Sequence, residues 1–309
     1  MQPQFHYAPV QGHTDAPYRH FLNLHYPVEA RHYTPFIRAE HGAARERDIR
    51  DLTSRLNDGI DLTAQVIFRN IEELDILLRD ISQTGASKID LNCGCPFPLQ
   101  TAKGRGAAMV ANSAVLSEVA DVLTKYPAIE FSMKMRLGYR DRNEWKDTVA
   151  IINSLPLTHI AMHPRVARQQ YGGAPDMDAF SEFIDSCSHP VIYNGDIHAP
   201  SDISEIINRF PKVAGVMCGR GVLARPSLFT EYLTGEEWSR EKRIERMLAF
   251  HRDLLRHYSE TLCGEHQILS KIKPFWEYSE DAIGRKPWKA INKANSMAKY
   301  HTALALIDL

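Results

Sequence analysis

The chain has 309 residues, 44% hydrophobic and 24% charged, with 37 Lys plus Arg against 38 Asp plus Glu. This balance excludes global disorder and a wholly basic nucleic-acid binder, but it leaves room for a local basic patch. The length fits one large domain or two unequal ones. No run of about 18 apolar residues occurs, so no transmembrane helix is expected. Met1–His6 carries no basic segment followed by an apolar one, so no secretory signal is read there. Cys93, Cys95, Cys187, Cys218 and Cys263 form neither a disulfide framework nor a paired zinc spacing. The expectation is a cytoplasmic, metal-free protein with reduced thiols.

Short apolar runs alternate with helical patterns over the first three-quarters of the chain. Runs at 5–9, 32–37, 62–68, 88–92, 129–135, 158–162, 190–193 and 213–217 read as strands bounded by Gly, Pro or Asn. Helical stretches fall near 71–83, 112–124, 143–154 and 200–208. The second opens on Asn112 or Ser113 as N-cap and places Val115, Val119, Val122 and Leu123 on one face. Pro200-Ser201-Asp202 ahead of Ile203, Ile206 and Ile207 is a similar start signal. Eight strand-then-helix units predict an α/β fold of the (β/α)8 TIM-barrel type over 1–235, although a doubly wound open sheet shares the local pattern. After Thr234-Gly235-Glu236, helical stretches at 239–258, 265–281 and 287–306 predict a small all-helical C-terminal domain over 236–309. Met247, Phe250, Leu254 and Leu255 form a stripe there that reads as core.

A barrel of this kind gathers its chemistry at the C-terminal ends of its strands. Polar residues follow the apolar runs directly: Gln65, Asn92 with Cys93-Gly94-Cys95-Pro96, Lys134 and Arg136, His163 and Arg165, Asn194-Gly195-Asp196, and Gly219-Arg220-Gly221. The last two segments can approach an anion closely, with Gly219 and Gly221 leaving room and Arg220 supplying a charged fork; tight turns with a surface Arg are the alternative. Lys134, inside an apolar strand, calls for an anionic or electron-rich partner such as a flavin, or for a neighbouring carboxylate. Cys95, in a Gly-Cys-Pro turn, reads as an accessible thiol able to donate a proton or attack, or as an inert core Cys. His13 with Asp15 could form an acid–base pair, but a helix N-cap role for Thr14 or Asp15 is simpler. In the tail, seven Lys/Arg face three acids between His266 and His301, interleaved with Phe275, Trp276, Tyr278 and Trp288. That pattern fits an RNA surface or a solvated face over buried aromatics.

The set Ala8-Pro9, Gly12, Thr14-Asp15, Gln65, Asp90-Leu91-Asn92-Cys93-Gly94-Cys95-Pro96, Lys103-Gly104 to Ala107, Lys134-Met135-Arg136, His163-Pro164-Arg165, Asn194-Gly195-Asp196 and Gly219-Arg220 resembles the tRNA-dihydrouridine synthase family. The tail is similar to the bacterial C-type branch, which reduces a D-loop uridine at position sixteen. A monomer is expected. The resemblance implies FMN as cofactor, NADPH as reductant and tRNA as partner. It implies FMN contacts from Pro9, Val10, Gln11, Gln65, Lys134, His163, Asn194, Gly195, Asp196, Gly219 and Arg220. It gives Cys95 the role of proton donor to uracil C5, opposite a hydride from flavin N5 to C6. RNA contacts are implied for Asn92, Lys103, Arg105, Arg165, Lys271, Lys273, Arg285 and Lys286. Two positions depart from the family pattern. Val10 stands where Met is usual and is expected to offer mainly its backbone; Pro164 replaces a Gly and removes an N–H. Other readings are a flavin barrel reducing a free pyrimidine or enoate, as in the dihydroorotate dehydrogenases, and an RNA-binding protein on an inactive barrel.

Overall fold

The structure is a computed structural model and describes residues 3–308. Its eight principal strands are β1 (Gln4–Tyr7), β2 (Arg31–Tyr33), β3 (Leu62–Ile67), β4 (Lys88–Cys93), β5 (Glu130–Gly138), β6 (Leu157–Val166), β7 (Val191–Asn194) and β8 (Gly215–Cys218). Each pairs in parallel with its sequence neighbours, and β8 returns to β1 through Gln4↔Gly215 to Tyr7↔Cys218. That closure separates the barrel from the open-sheet alternative, because no strand of the ring is left as an edge. The helices that follow the strands are α1 (Ala16–His25), α2 (Glu46–Leu52), α3 (Ile71–Ser82), α4 (Ser113–Leu123), α5 (Val149–Ser154), α6 (Met177–Ser186), α7 (Pro200–Arg209), α8 (Arg220–Ala224) and α9 (Leu228–Thr234).

All eight expected strands are present, with shifted ends. The run at 32–37 is interrupted: β2 stops at Tyr33, and Ile37–Glu40 pairs separately with β3 and with Ala43–Ala44. Pro35 explains the break, since it has no N–H and restricts the residue before it. Pro164 falls within β6 where the ladder with β5 shifts register, between Arg136↔His163 and Gly138↔Val166. A ladder irregularity is where a strand tolerates a missing donor. Helices α1, α2, α6, α8 and α9 were not among the expected stretches. Of these, α1 and α6 carry Asp N-caps: Asp15 accepts from the Tyr18 N–H, and Asp176 from the Ala179 N–H. The Asp15 side chain therefore caps a helix, the simpler of its two readings.

Strand alternation sorts the residues. On β1, Phe5 and Tyr7 face outward onto Phe229 of α9, each with ring centroids 5.0 Å apart. His6 faces into the barrel, where its Nδ1 and the Nε2 of His159 lie 2.8 and 2.9 Å from the Tyr33 hydroxyl. Above this layer, Gln65, Asp90, Asn92, Ser132, Lys134 and Arg136 alternate with outward-facing apolar residues such as Leu91, Met133 and Met135, which join the core beneath the helices.

After α9, which ends on Gly235 in the left-handed conformation, the chain is helical: α10 (Arg240–Thr261), α11 (Glu265–Ile272), α12 (Glu280–Ile283), α13 (Arg285–Lys293) and α14 (Met297–Leu304). The expected helices at 265–281 and 287–306 are each broken, the first by a 3-10 turn at Lys273–Trp276 and the second at Ala294–Ser296, where the Ser296 side chain caps α14. The tail core centres on Trp276 and Tyr300. The Trp276 Nε1 donates to the Tyr300 hydroxyl at 3.0 Å, and His251 Nε2 lies 2.7 Å from the same oxygen. The tail meets the barrel where Phe250 packs on Tyr18 and where Asp15 accepts from the Tyr258 hydroxyl (2.9 Å) and Lys271 Nζ (2.8 Å). Among the described residues no single helix is long and apolar enough to cross a membrane.

Burial pushes His32, His159 and His251 down to about 3, and lowers His6 and His163 as well. Above about pH 6.5 these rings are neutral in folded and unfolded chain alike. As pH falls from about 6.5 towards 3, only the unfolded chain gains protons, so stability is lost. Asp90, raised to about 6 by burial, acts in the opposite sense between its ordinary value and 6. The histidines outnumber it, so the urea midpoint should be nearly level from pH 7.5 to about 7 and fall from there to pH 5. Each histidine contributes at most roughly 1.4 kcal/mol per pH unit. A midpoint that rises or stays level would contradict the buried-neutral assignment.

Candidate active site

At the C-terminal mouth of the barrel lies a cavity of about 630 Å³. Every residue expected to hold a cofactor lines it: Pro9, Val10, Gln11, Gln65, Lys134, His163, Asn194, Gly195, Asp196, Gly219 and Arg220. Asn92 and Cys95 line it too.

The wall formed by β3, β4 and β5 is a hydrogen-bonded chain. Ser132 Oγ donates to Asp90 Oδ1 and Gln65 Nε2 to Asp90 Oδ2, both at 2.8 Å. Asn92 Nδ2 donates to Gln65 Oε1 at 2.8 Å, and Asn92 Oδ1 accepts from the N–H groups of Gly94 (3.1 Å) and Cys95 (2.9 Å). Each amide is thereby fixed in one orientation, because reversing it would set donor against donor. Gln65 and Asn92 each keep one N–H for a ligand.

Burial, followed by Arg136, lowers Lys134 to about 8. The nearby carboxylate, Asp90, has both oxygens occupied by Gln65 and Ser132, and among the described residues Lys134 forms no ion pair. His163 is buried and neutral, and its Nδ1 has no partner. Burial also raises the Cys95 thiol, with the Phe97 backbone, Lys134 and Arg136 acting against it. Cys95 is half-buried rather than openly accessible, and at neutral pH it is a thiol suited to giving a proton.

On the opposite wall, Arg165 is buried and pairs with Asp196, its Nη1 lying 2.9 Å from Oδ1, and its Nη2 donates to the Gly173 carbonyl at 2.5 Å. This pairing holds the Asp196 carboxyl below its usual range. Arg220 Nη2 lies 3.3 Å from Asp196 Oδ1, and its guanidinium stacks 3.9 Å from the Tyr171 ring centroid. Asn194 Nδ2 donates to the Met217 carbonyl at 2.8 Å, locking β7 to β8. Six cations line the cavity (Arg38, Arg45, Arg47, Lys134, Arg136, Arg220) against two acids (Asp196, Glu277), a balance that favours an anionic ligand. An unpartnered buried His nitrogen, an unpaired Lys and a cationic corner beside two glycines fit a flavin mononucleotide.

Several expectations need correction. Arg105 is buried and bidentate to Glu73, so its guanidinium is not offered to RNA. Arg165 is spent on Asp196 and Gly173, and Lys273 on the carbonyls of Asn292 and Ala294 at the end of α13. Lys271 is exposed but paired with Asp15. Lys103 is exposed outside the cavity lining, and exposed Arg285 and Lys286 line a separate recess with Arg240. Val10 uses its backbone within its own turn: its N–H donates to Thr14 Oγ1 and its carbonyl accepts from the His13 and Thr14 N–H groups. Its side chain is what it can offer. Gly221 lines the cavity, and a Cβ there would lie 1.8 Å from the Ile197 carbonyl oxygen, so close packing also calls for glycine at this position.

A model of the dihydrouridine synthase (Dus) family matches residues 6–307. The chain belongs to the dihydrouridine synthase family. A probable tRNA-dihydrouridine synthase of Treponema pallidum is 28% identical over 301 residues, 91% of this chain and 86% of that protein. The Saccharomyces cerevisiae tRNA-dihydrouridine(20a/20b) synthase is 31% identical over 210 residues, 65% of this chain and 56% of that protein. Among solved structures, a variant of NCR from Zymomonas mobilis shares the barrel fold with a TM-score of 0.55 at 11% identity, over 76% of this chain and 88% of that one.

Sequence reasoning missed the rim. Arg38, Arg45 and Arg47 reach the cavity from the segment after β2, Tyr171 from the loop after β6, and Glu277 and Tyr278 from the tail. The His13 Nε2 to Glu277 Oε2 contact of 2.9 Å ties that part of the tail to the β1 turn. The run Arg38 to Arg47, with three arginines in ten residues, was the available signal. Among the described residues, no group of three or more His, Cys, Asp or Glu could hold a metal ion.

Gly221→Ala should destabilise the protein by about 2 kcal/mol, since the added methyl must push the Ile197 carbonyl aside. Thermal melting checks this; an unshifted midpoint would mean the β7 loop yields freely.

Proposed function

We propose that this chain reduces the C5–C6 double bond of a uridine in the D-loop of tRNA, with FMN in the barrel cavity and NADPH as the source of electrons. The observation that carries the reading is the placing of a half-buried, protonated Cys95 in one cavity with unpaired Lys134 and unpartnered His163 Nδ1. When bound and reduced, FMN supplies a hydride to C6 of the uracil.

The chain's own residues do the rest. Adding hydride at C6 builds negative charge on the C4 carbonyl, which a donor at that oxygen and an acid at C5 relieve. Cys95 holds the proton for C5. Asn92, oriented by Gln65, has one N–H available for a uracil carbonyl. Lys134 offsets negative charge on the cofactor ring, and Arg220 with Gly195 and Gly219 receives its phosphate. His163, buried and neutral, lines the same cavity and would border the cofactor.

The uridine must leave its stack to reach this depth, and RNA backbone remains at the mouth. Arg47, exposed, and Arg38, partly exposed, are positioned to meet phosphates there. Arg47 and Arg38 at the rim favour a polyanionic RNA over a free pyrimidine or enoate, while Arg45 is paired with Asp48. Residues 1–235 then hold the chemistry, while 236–309 shape the RNA approach through Glu277, Tyr278 and the exposed basic residues Arg285 and Lys286.

Cys95→Ala should keep its flavin absorbance and lose dihydrouridine formation by about 10²-fold or more. Single-turnover reoxidation of the NADPH-reduced protein by tRNA lacking dihydrouridine measures both. Wild-type turnover in this variant would remove Cys95 from the reaction.

A further inference from the structure

Arg105 and Glu73 form a buried ion pair outside the cavity lining. Arg105 Nη2 lies 2.6 Å from Glu73 Oε1, and its Nε lies 3.1 Å from Oε2. Glu73, in the first turn of α3, also accepts from the Arg69 N–H at 3.1 Å and pairs with Arg69 Nε at 2.9 Å. A buried ion pair is a poor source of net stability, because desolvation offsets its attraction. It does define a geometry, since a bidentate fork permits one arrangement.

That geometry bears on Cys95. The Arg105 N–H donates to the Gln100 carbonyl at 3.1 Å, closing the loop that leaves Cys95. The next residue, Gly106, has φ +61, and a Cβ there would lie 2.6 Å from the Cys95 carbonyl oxygen and 2.9 Å from the Cys95 Cβ. The Ala107 N–H then donates to the Cys95 carbonyl at 3.1 Å. Cys95 is therefore gripped on two sides, its N–H by Asn92 and its carbonyl and Cβ by residues 106–107. The connection between Cys95 and Gly106, residues 96–105, includes exposed Phe97 and Leu99.

We propose that the Glu73–Arg105 pair is a latch that positions the Cys95 thiol: both are positioning residues, acting through Gly106 and Ala107, and neither touches substrate. The inference rests on Cys95 being the proton donor only for its effect on turnover. Its effect on the thiol is independent of that reading.

The test uses the full-length, flavin-loaded protein and Arg105→Met, Arg105→Lys and Glu73→Gln. Iodoacetamide alkylation of Cys95 is followed on its own peptide by mass spectrometry from pH 7 to 10, with exposed Cys263 as internal reference. Arg105→Met and Glu73→Gln should speed Cys95 alkylation relative to Cys263 on the order of tenfold, shift its pH midpoint down as the thiol becomes solvated, and slow uridine reduction at least tenfold with the flavin spectrum unchanged. Arg105→Lys, which keeps the charge and loses the fork, should recover part of both effects. If Arg105→Met does not fold, the other two variants decide. Alkylation equal to wild type in the folded variants overturns the latch, whatever happens to turnover. Faster alkylation with unchanged turnover, or a wild-type protein that reduces no uridine, leaves the latch standing and overturns the proton-donor reading instead.

Discussion

The hydrogen-bonded chain from Ser132 through Asp90, Gln65 and Asn92 to the N–H groups of Gly94 and Cys95 is the constraint on which the site depends. It crosses three strands inside a closed barrel, where each polar group must find a partner or incur a desolvation penalty of about 1–3 kcal/mol. Asp90 anchors the chain because a carboxylate accepts from both neighbours and so decides which way the Gln65 amide points. That orientation passes to Asn92 and then to the turn carrying the thiol. A series of local satisfactions thus sets the position of the Cys95 thiol.

The electrostatics of the cavity follow from the same enclosure. Lys134 and Arg136 are next-but-one neighbours on β5, so alternation sends both inward; burial is the larger cause that lowers each, with Arg136 adding to it at Lys134 and Arg165 and Arg220 adding to it at Arg136. Their neighbour His163 stays neutral among four cations. An anionic ligand relieves this repulsion, so the cavity gains more from binding one than a solvent-exposed cluster of equal charge would. Across the mouth, Arg165 and Arg220 share Asp196, which orders the loop after β7 before any ligand arrives.

The tail belongs to the site through Asp15. One carboxylate caps α1, accepts from Tyr258 of α10 and pairs with Lys271 of α11, and two residues earlier His13 meets Glu277. The β1 turn is thereby joined to the tail, and Glu277 and Tyr278 arrive at the cavity rim as a consequence. The basic tail residues divide by this packing: Lys271 and Lys273 are consumed in structure, while Arg285 and Lys286 remain at the surface.

The sequence by itself determined the alternation of strands and helices, the helical tail and many of the residues that line the cavity. A strand end is written locally, in an apolar run followed by Gly, Asn or a charged residue, and barrel closure then carries each such end to a common mouth. Cys95, Lys134 and His163 were legible for that reason. Only the tertiary structure decided which charged side chains are free to act. Arg105, Arg165 and Lys273 look like any surface cation in the sequence, and their partners Glu73, Asp196 and the α13 carbonyls lie 32, 31 and about 20 positions away. Ion pairing at such separations depends on how elements pack, which no local pattern of residues records. The rim arginines were hidden for the same reason, because Pro35 breaks the strand before them and only the folded chain turns Arg38, Arg45 and Arg47 toward the cavity.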